Sequence, residues 1–128
     1  MGRLLATVLT CAAIATTAAA APLSPGARTE IDALMSKLEA SGCEFNRNGT
    51  WHSGMEAKAH LLRKLKYLED RGMVQSTEQF IELAASGSSI TGQPYMVRCG
   101  NGVPVQSGTW LLSQMRAMRS AAPATRAP

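Results

Sequence analysis

Residues 43–52 read CEFNRNGTWH, and this stretch predicts a β-hairpin. Residues 43–47 alternate between the two faces of a strand, as they do where one face is buried. Asn48-Gly49 favours a two-residue hairpin turn, because both turn positions need positive φ. Residues 50–52 then form the return strand. A hairpin this short is unstable alone, so a third strand or a helix must pack behind it.

Helix signals flank this hairpin on both sides. Serines that can cap helix N-termini stand at positions 24, 53, 76 and 107, and glycines follow the predicted ends of the first three helices. The first helix has apolar residues at i, i+3, i+4 and i+7, which places them on one face. These residues are Ile31, Leu34, Met35 and Leu38.

Residues 95–99 are the best candidate for a third strand, since they follow Pro94 and precede a glycine-rich turn. The sequence therefore predicts an α+β fold. About four helices would pack on a small three-stranded antiparallel sheet with one hairpin, in a single domain. A chain of 128 residues is one domain at most.

The first twenty residues have the pattern of a signal peptide. Met1–Arg3 gives a positive start, Leu4–Ile14 an uncharged core, and Ala18–Ala20 the small residues that signal peptidase reads. We expect cleavage after Ala20 or one residue later. An uncleaved anchor is one alternative, disfavoured by the threonines that dilute the stretch. Lipidation at Cys11 is another, disfavoured because Thr10 directly precedes the cysteine and the apolar run ahead of it is short. The domain would then span residues 21–119, followed by a disordered Ala/Pro/Arg tail over 120–128.

Export leaves two cysteines, Cys43 and Cys99. Two thiols in an oxidising compartment normally pair, so we expect a disulfide between them. A Cys2His2 metal site with His52 and His60 is the alternative. Zinc ligands usually come in closely spaced pairs, and these four residues are scattered singly. We therefore predict no metal and no cofactor.

A polar helix face is the candidate ligand site. Glu56, His60 and Lys64 recur every four residues and so share one face of the second helix. One interpretation is a solvated surface with weak i, i+4 contacts. The other is a groove in which they meet Arg47 and a hydroxyl-rich loop, suited to a small polar or anionic ligand. That loop contributes Ser88, Ser89 and Thr91.

Catalysis is a weaker hypothesis. Ser88 or Ser89 with His60 and Glu56 has the residue types of a hydrolytic triad. Neither serine lies in a Gly-x-Ser-x-Gly turn, and Glu56 and His60 share one helix. No phosphate-binding glycine loop or metal-ligand pair accompanies them. We therefore expect a protein that is not an enzyme.

Trp51 is a rare large aromatic residue in a chain that is 5% aromatic. Core packing is the default interpretation of such a residue. On an exposed hairpin it would instead bind a protein partner, since tryptophan is enriched at interaction hot spots. Nucleic acid is an unsuitable partner, because the chain is exported and the charge of its body is nearly balanced. We expect no membrane span after signal cleavage.

Four segments together resemble the YfeK-like family of small exported bacterial proteins, a domain of unknown function. They are FNRNG at 45–49, EAKAHLLRK at 56–64, TEQFI at 77–81 and SSITGQPY at 88–95. The resemblance covers about residues 28–118 and implies the periplasm of a Gram-negative bacterium. It brings no established activity, cofactor or catalytic residue, and the disulfide inference stands on this chain alone.

The sequence thus favours a non-catalytic periplasmic binding or accessory protein, for which the cell envelope is one setting. The alternative is an inhibitor or immunity protein against an exported hydrolase, and a weak Ser/His hydrolase comes third. An inhibitor should expose a protruding apolar loop, whereas a ligand binder should hold a concave polar cleft.

Overall fold

The structure, a computed structural model, describes residues 2–15 and 21–121. Residues 2–15 are exposed and carry no helix or strand. The remaining elements follow in the order α1 Pro25–Ala40, β1 Glu44–Arg47, β2 Thr50–His52, α2 Gly54–Asp70, α3 Thr77–Phe80 with a π-helical continuation Ile81–Ala85, β3 Met96–Arg98, β4 Val105–Gln106 and α4 Ser107–Ala121. The predicted α+β domain with four helices is confirmed.

The strands form one antiparallel sheet in the order β2-β1-β3-β4. The prediction of three strands is therefore wrong by one, because Val105–Gln106 pairs with β3. A strand of two residues shows no alternation, so no sequence pattern reveals it. The predicted hairpin is present, with Asn48 at φ 51° and Gly49 at φ 86° in its turn.

Register decides which side chains of β1 face the helices. Phe45 lies opposite His52 on β2 and Val97 on β3, so these three share the inner face. Arg47, two residues after Phe45, shares that face too. Asn46 and Trp51 lie opposite each other on the outer face.

The core lies between the inner face of the sheet and the four helices. The predicted stripe of α1 is fully buried, and it meets buried leucines of α2 together with Phe80, Ile81 and Leu111. Each such leucine stabilises the fold by about 2–5 kcal/mol when compared with alanine. Phe45 packs edge-on against Trp110, with ring centroids 5.8 Å apart.

A disulfide joins Cys43 and Cys99, whose Cα atoms are 4.2 Å apart and 56 positions apart in sequence. It links the start of β1 to the end of β3. On the chain-entropy model it stabilises the fold by about 4 kcal/mol. Since both thiols are consumed, the alternative Cys2His2 set does not form.

The predicted boundaries of the domain lie at or near residues that the structure does not describe. α4 continues through Ala121, two residues into the segment predicted as a tail, and the rest of that tail lies outside the described residues. The predicted cleavage site after Ala20 also borders residues that the structure does not describe. Within residues 2–15 and 21–121, no helix is long and apolar enough to cross a membrane.

Candidate functional site

The start of α2 folds back under the hairpin and brings Arg47 close to His60. Ser53 caps the helix, its Oγ accepting from the backbone N–H of Glu56 at 3.2 Å. Gly54 is buried where α2 meets α1, and a Cβ there would lie 2.7 Å from the carbonyl oxygen of Leu38. Only glycine therefore permits this approach of the two helices. This close contact between α1 and α2 places the first turns of α2 against the inner face of β1.

His60 lies between Arg47 and Tyr95. Arg47 Nη1 is 2.7 Å from His60 Nδ1, and His60 Nε2 is 3.2 Å from the Tyr95 hydroxyl oxygen. Because arginine only donates, we assign Nδ1 as the acceptor and place the imidazole proton on Nε2. His60 Nε2 then donates to Tyr95.

Tyr95 receives a second hydrogen bond from Lys64, whose Nζ lies 3.2 Å from the phenol oxygen and 3.1 Å from the carbonyl oxygen of Gly87. The lysine ammonium only donates, so the Tyr95 oxygen accepts twice. Its own O–H therefore remains free to donate, and no acceptor for it lies among the described residues. Tyr95 as a whole residue is 7% exposed.

The pKa values of this group follow from burial beside fixed positive charge. Desolvation first, and then the charges of Arg47 and Lys64, lower the pKa of His60 to about 4. Desolvation, helped by Arg47, also lowers the pKa of Lys64. Burial raises the pKa of Tyr95 while Arg47 opposes the shift. At neutral pH the imidazole is thus uncharged and the phenol keeps its proton.

A cleft of about 330 Å³ opens between the hairpin and α2. Its walls combine buried apolar side chains with polar groups. The lining residues are Phe45, Asn46, Arg47, His52, Glu56, Ala57, Ala59, His60, Leu61, Arg63, Tyr95 and Ser107. Lys64 contacts Tyr95 but does not line the cleft.

Within the described part of the chain, some charged side chains around the cleft have partners of opposite charge and others do not. Glu56 Oε2 lies 2.8 Å from His52 Nδ1, so the carboxylate is engaged at the rim. Arg63 is exposed at the same rim. Arg47 is half-buried, and among the described residues it forms no ion pair with a carboxylate. The cleft therefore holds a half-buried arginine that no carboxylate of the described residues contacts.

The hydroxyl-rich loop lies beside the cleft but does not line it. Ser88 Oγ accepts from the backbone N–H groups of Ile90 and Thr91, at 3.3 and 3.2 Å. Thr91 Oγ1 donates to Asn48 Oδ1 at 2.9 Å, which ties the loop to the hairpin turn. Ser89 is exposed. The structure thus brings Arg47, Glu56 and His60 to the cleft wall, while the predicted loop hydroxyls hold the loop itself.

The residues of the hypothetical triad are engaged elsewhere. Glu56 contacts His52, and His60 contacts Arg47 and Tyr95. The Ser88 oxygen accepts from two amides of its own loop. Within the part of the chain that the structure describes, no serine is hydrogen-bonded to either histidine.

Trp51 lies on the opposite face of the hairpin from the cleft. It is half-buried, and the Arg98 guanidinium carbon stacks 4.1 Å from its ring centroid. Arg98 is also paired with Glu44, directly across the two strands. Trp51 therefore belongs to a polar outer surface and not to the cleft.

Sequence reasoning overlooked Tyr95, His52 and Arg63 as site residues. In the sequence, Tyr95 marks only the start of a predicted strand, although it lies in a segment that carries the family resemblance. Its role becomes visible only in the structure. There the side chains of His60 and Lys64, one helical turn apart on α2, both contact the Tyr95 hydroxyl.

The fold and the cleft together define a small α+β domain whose cleft combines an apolar wall with polar and charged side chains. The chain belongs to the family of unknown function DUF5329, which it matches over residues 25–119. It is similar to the uncharacterized protein YfeK of Salmonella typhimurium, at 37% identity over 91 residues that span 68% of this chain and 74% of the relative. The resemblance found in the sequence is confirmed. No solved structure matches the chain.

Proposed function

We propose that this protein is a non-catalytic periplasmic binding protein whose ligand is a small anion held in the cleft between the hairpin and α2. One observation carries the proposal. The half-buried Arg47 has no carboxylate partner among the described residues, and it shares the cleft wall with the free O–H of Tyr95.

Desolvation explains why this arrangement points to an anion. Buried charges in folded proteins are normally paired, because an isolated charge is costly to remove from water. Arg47 donates one N–H group to a neutral imidazole. Its remaining N–H groups and the Tyr95 O–H are also hydrogen-bond donors, so they need acceptors. A ligand that supplies negatively charged acceptor oxygens satisfies both residues at once.

The contacts of the triad candidates support a role without catalysis. A serine nucleophile needs a histidine base within hydrogen-bond reach. Here the His60 lone pair accepts from Arg47, and the Ser88 oxygen accepts from its own loop. The signal-peptide pattern and the Cys43–Cys99 disulfide support the periplasmic location.

The proposal is tested by following backbone amide resonances of the oxidised, exported protein during titration with sodium acetate, phosphate and sulfate at constant ionic strength. We expect saturable shifts around Arg47 and Tyr95 with at least one anion. Arg47→Gln should lose them. Arg71→Gln is the matched control, since Arg71 stacks on Tyr67 3.5 Å from the ring centroid and does not line the cleft.

A cleft that shows no saturable shift with any of the three anions contradicts the proposal. Equal shifts in wild type and Arg47→Gln contradict it as well, because binding would then occur elsewhere. Thermal unfolding of each variant confirms that the comparison is made between folded proteins.

The second candidate function is inhibition of an exported hydrolase, and one observation favours it. Ile90 is 95% exposed at the tip of the loop that Ser88 and Asn48 hold in place. A fixed, protruding apolar side chain is what an inhibitor inserts into a partner. Affinity capture from periplasmic extract should then retain a hydrolase that Ile90→Asp loses. Val103→Asp, at a residue 85% exposed in the β3–β4 turn, is the control and should retain it.

A further inference from the structure

The cleft has an apolar wall that an ion alone would not use. Phe45, Ala57 and Leu61 line it and are buried, and Ala59 lies at its exposed margin. Only small parts of these three side chains are accessible from the cleft, and an inorganic anion at Arg47 would leave them uncovered. A ligand with a hydrocarbon part would instead cover them, which is favourable in proportion to the apolar area removed from water.

Cleft size limits how large that hydrocarbon part is. The volume of about 330 Å³ is at the lower end for small-molecule sites. At roughly 30 Å³ for each water molecule, it corresponds to about ten waters. A tetrahedral oxyanion fills only a small part of this space, whereas a whole lipid or an oligosaccharide exceeds it. A compact organic molecule fits.

The charge of the wall indicates the anionic group. Arg47 and Arg63 are the positive side chains of the lining and Glu56 is the negative one, so the lining carries one net positive charge with its histidines counted as neutral. A planar guanidinium binds the two oxygens of a carboxylate in a fork, and a neutral phenol adds one further donor without a second charge. One net positive charge and one hydroxyl match a singly charged carboxylate better than a phosphate dianion.

We propose that the ligand is a small amphiphilic carboxylate, with its carboxylate at Arg47 and Tyr95 and its hydrocarbon part against Phe45, Ala57 and Leu61. This inference rests on the proposed function, because it specifies the class of anion for the same cleft. The Tyr95 O–H donates a hydrogen bond to the second carboxylate oxygen. His60 and Lys64 hold the phenol in place by donating hydrogen bonds to its oxygen.

The test is isothermal titration calorimetry of the oxidised protein at pH 7 with four probes: hexanoate, acetate, hexanamide and inorganic phosphate. We expect hexanoate to bind at least about tenfold more tightly than acetate, since its extra methylene groups become buried. We also expect it to bind at least about tenfold more tightly than hexanamide, which lacks the charge.

Two variants report on the assigned contacts. Tyr95→Phe should weaken hexanoate binding by about tenfold, because it removes the donor and keeps the ring. Tyr67→Phe is the matched control on exposed α2 surface and should bind like wild type. If Tyr95→Phe fails to fold, Arg47→Gln takes its place, with the same loss expected.

The outcomes separate this inference from the proposed function. Acetate or phosphate binding as tightly as hexanoate would overturn the amphiphilic carboxylate and leave an anion site in place. Hexanamide binding as tightly as hexanoate would overturn carboxylate recognition. If none of the three anionic probes binds, both the proposed function and this inference are wrong.

Discussion

Replacing His60 by glutamine should make the stability of the domain less dependent on pH. Glutamine can accept from Arg47 and donate to Tyr95, so it preserves the hydrogen bonds while removing the titrating group. In the unfolded chain His60 has its ordinary pKa near 6.5, and in the folded domain its pKa is about 4. As pH falls between these values, the unfolded state takes up a proton that the folded state does not. The folded wild type therefore loses stability in this window, and the loss is complete below pH 4.

The magnitude follows from the size of that shift. A displacement from 6.5 to about 4 corresponds to an upper bound of about 3.4 kcal/mol at 1.36 kcal/mol for each pKa unit. His60 is only partly buried, so solvent screening reduces the effect to about 1–2 kcal/mol. Between pH 7 and pH 4, wild type should lose about 1–2 kcal/mol more free energy of unfolding than His60→Gln.

Urea unfolding at pH 7, 6, 5 and 4, with the disulfide intact, measures this difference. Ionic strength is held constant, and comparable m-values show that the two proteins unfold alike. His52→Gln is the matched control, because it removes the other histidine and keeps His60. It should retain the steep loss of wild type. Parallel stability curves for wild type and His60→Gln would refute the placement of His60 between Arg47, Lys64 and Tyr95.

Three further predictions concern the framework. Replacing Cys43 and Cys99 together by serine should lower the free energy of unfolding by about 2–5 kcal/mol. A reductant should not alter the unfolding of that variant. A urea midpoint equal to that of wild type would mean that the disulfide does not stabilise the fold. Gly54→Ala should cost about 1–3 kcal/mol, since its Cβ would meet the Leu38 carbonyl at 2.7 Å; a thermal melt equal to that of wild type would contradict this close approach. N-terminal sequencing of exported protein should begin near Ala21, and an intact Met1 on that material would disprove the signal peptide.

Local sequence signals account for most of the fold. Serine caps and the Asn48-Gly49 turn act within a few residues, so their effects can be predicted without tertiary information. Strand β4 has no such signal, because two residues pair only once β3 is in place. The π-helical turn at Ile81–Ala85 is likewise unmarked in the sequence. There, Ser86 Oγ donates to the Ile81 carbonyl oxygen five residues earlier, at 2.7 Å.

The candidate site was less predictable, and Glu56 shows why. It stands four residues after His52 and four residues before His60, so the i, i+4 rule allows either contact. The structure gives the contact with His52, because β2 ends directly beside the start of α2. Ser88 shows a second limit. Hydroxyls in loops often accept from nearby backbone N–H groups, and sequence alone does not distinguish this use from ligand binding.

The edges of the sheet affect how this domain meets other proteins. β2 has three residues and β4 has two, and Pro104 directly precedes β4. Short edge strands offer few free backbone groups to an incoming strand, which limits edge-to-edge aggregation. The same shortness makes strand addition an unfavourable mode of partner binding. A protein partner should therefore recognise side chains on the loops, and peptides designed to extend the sheet should not compete with it.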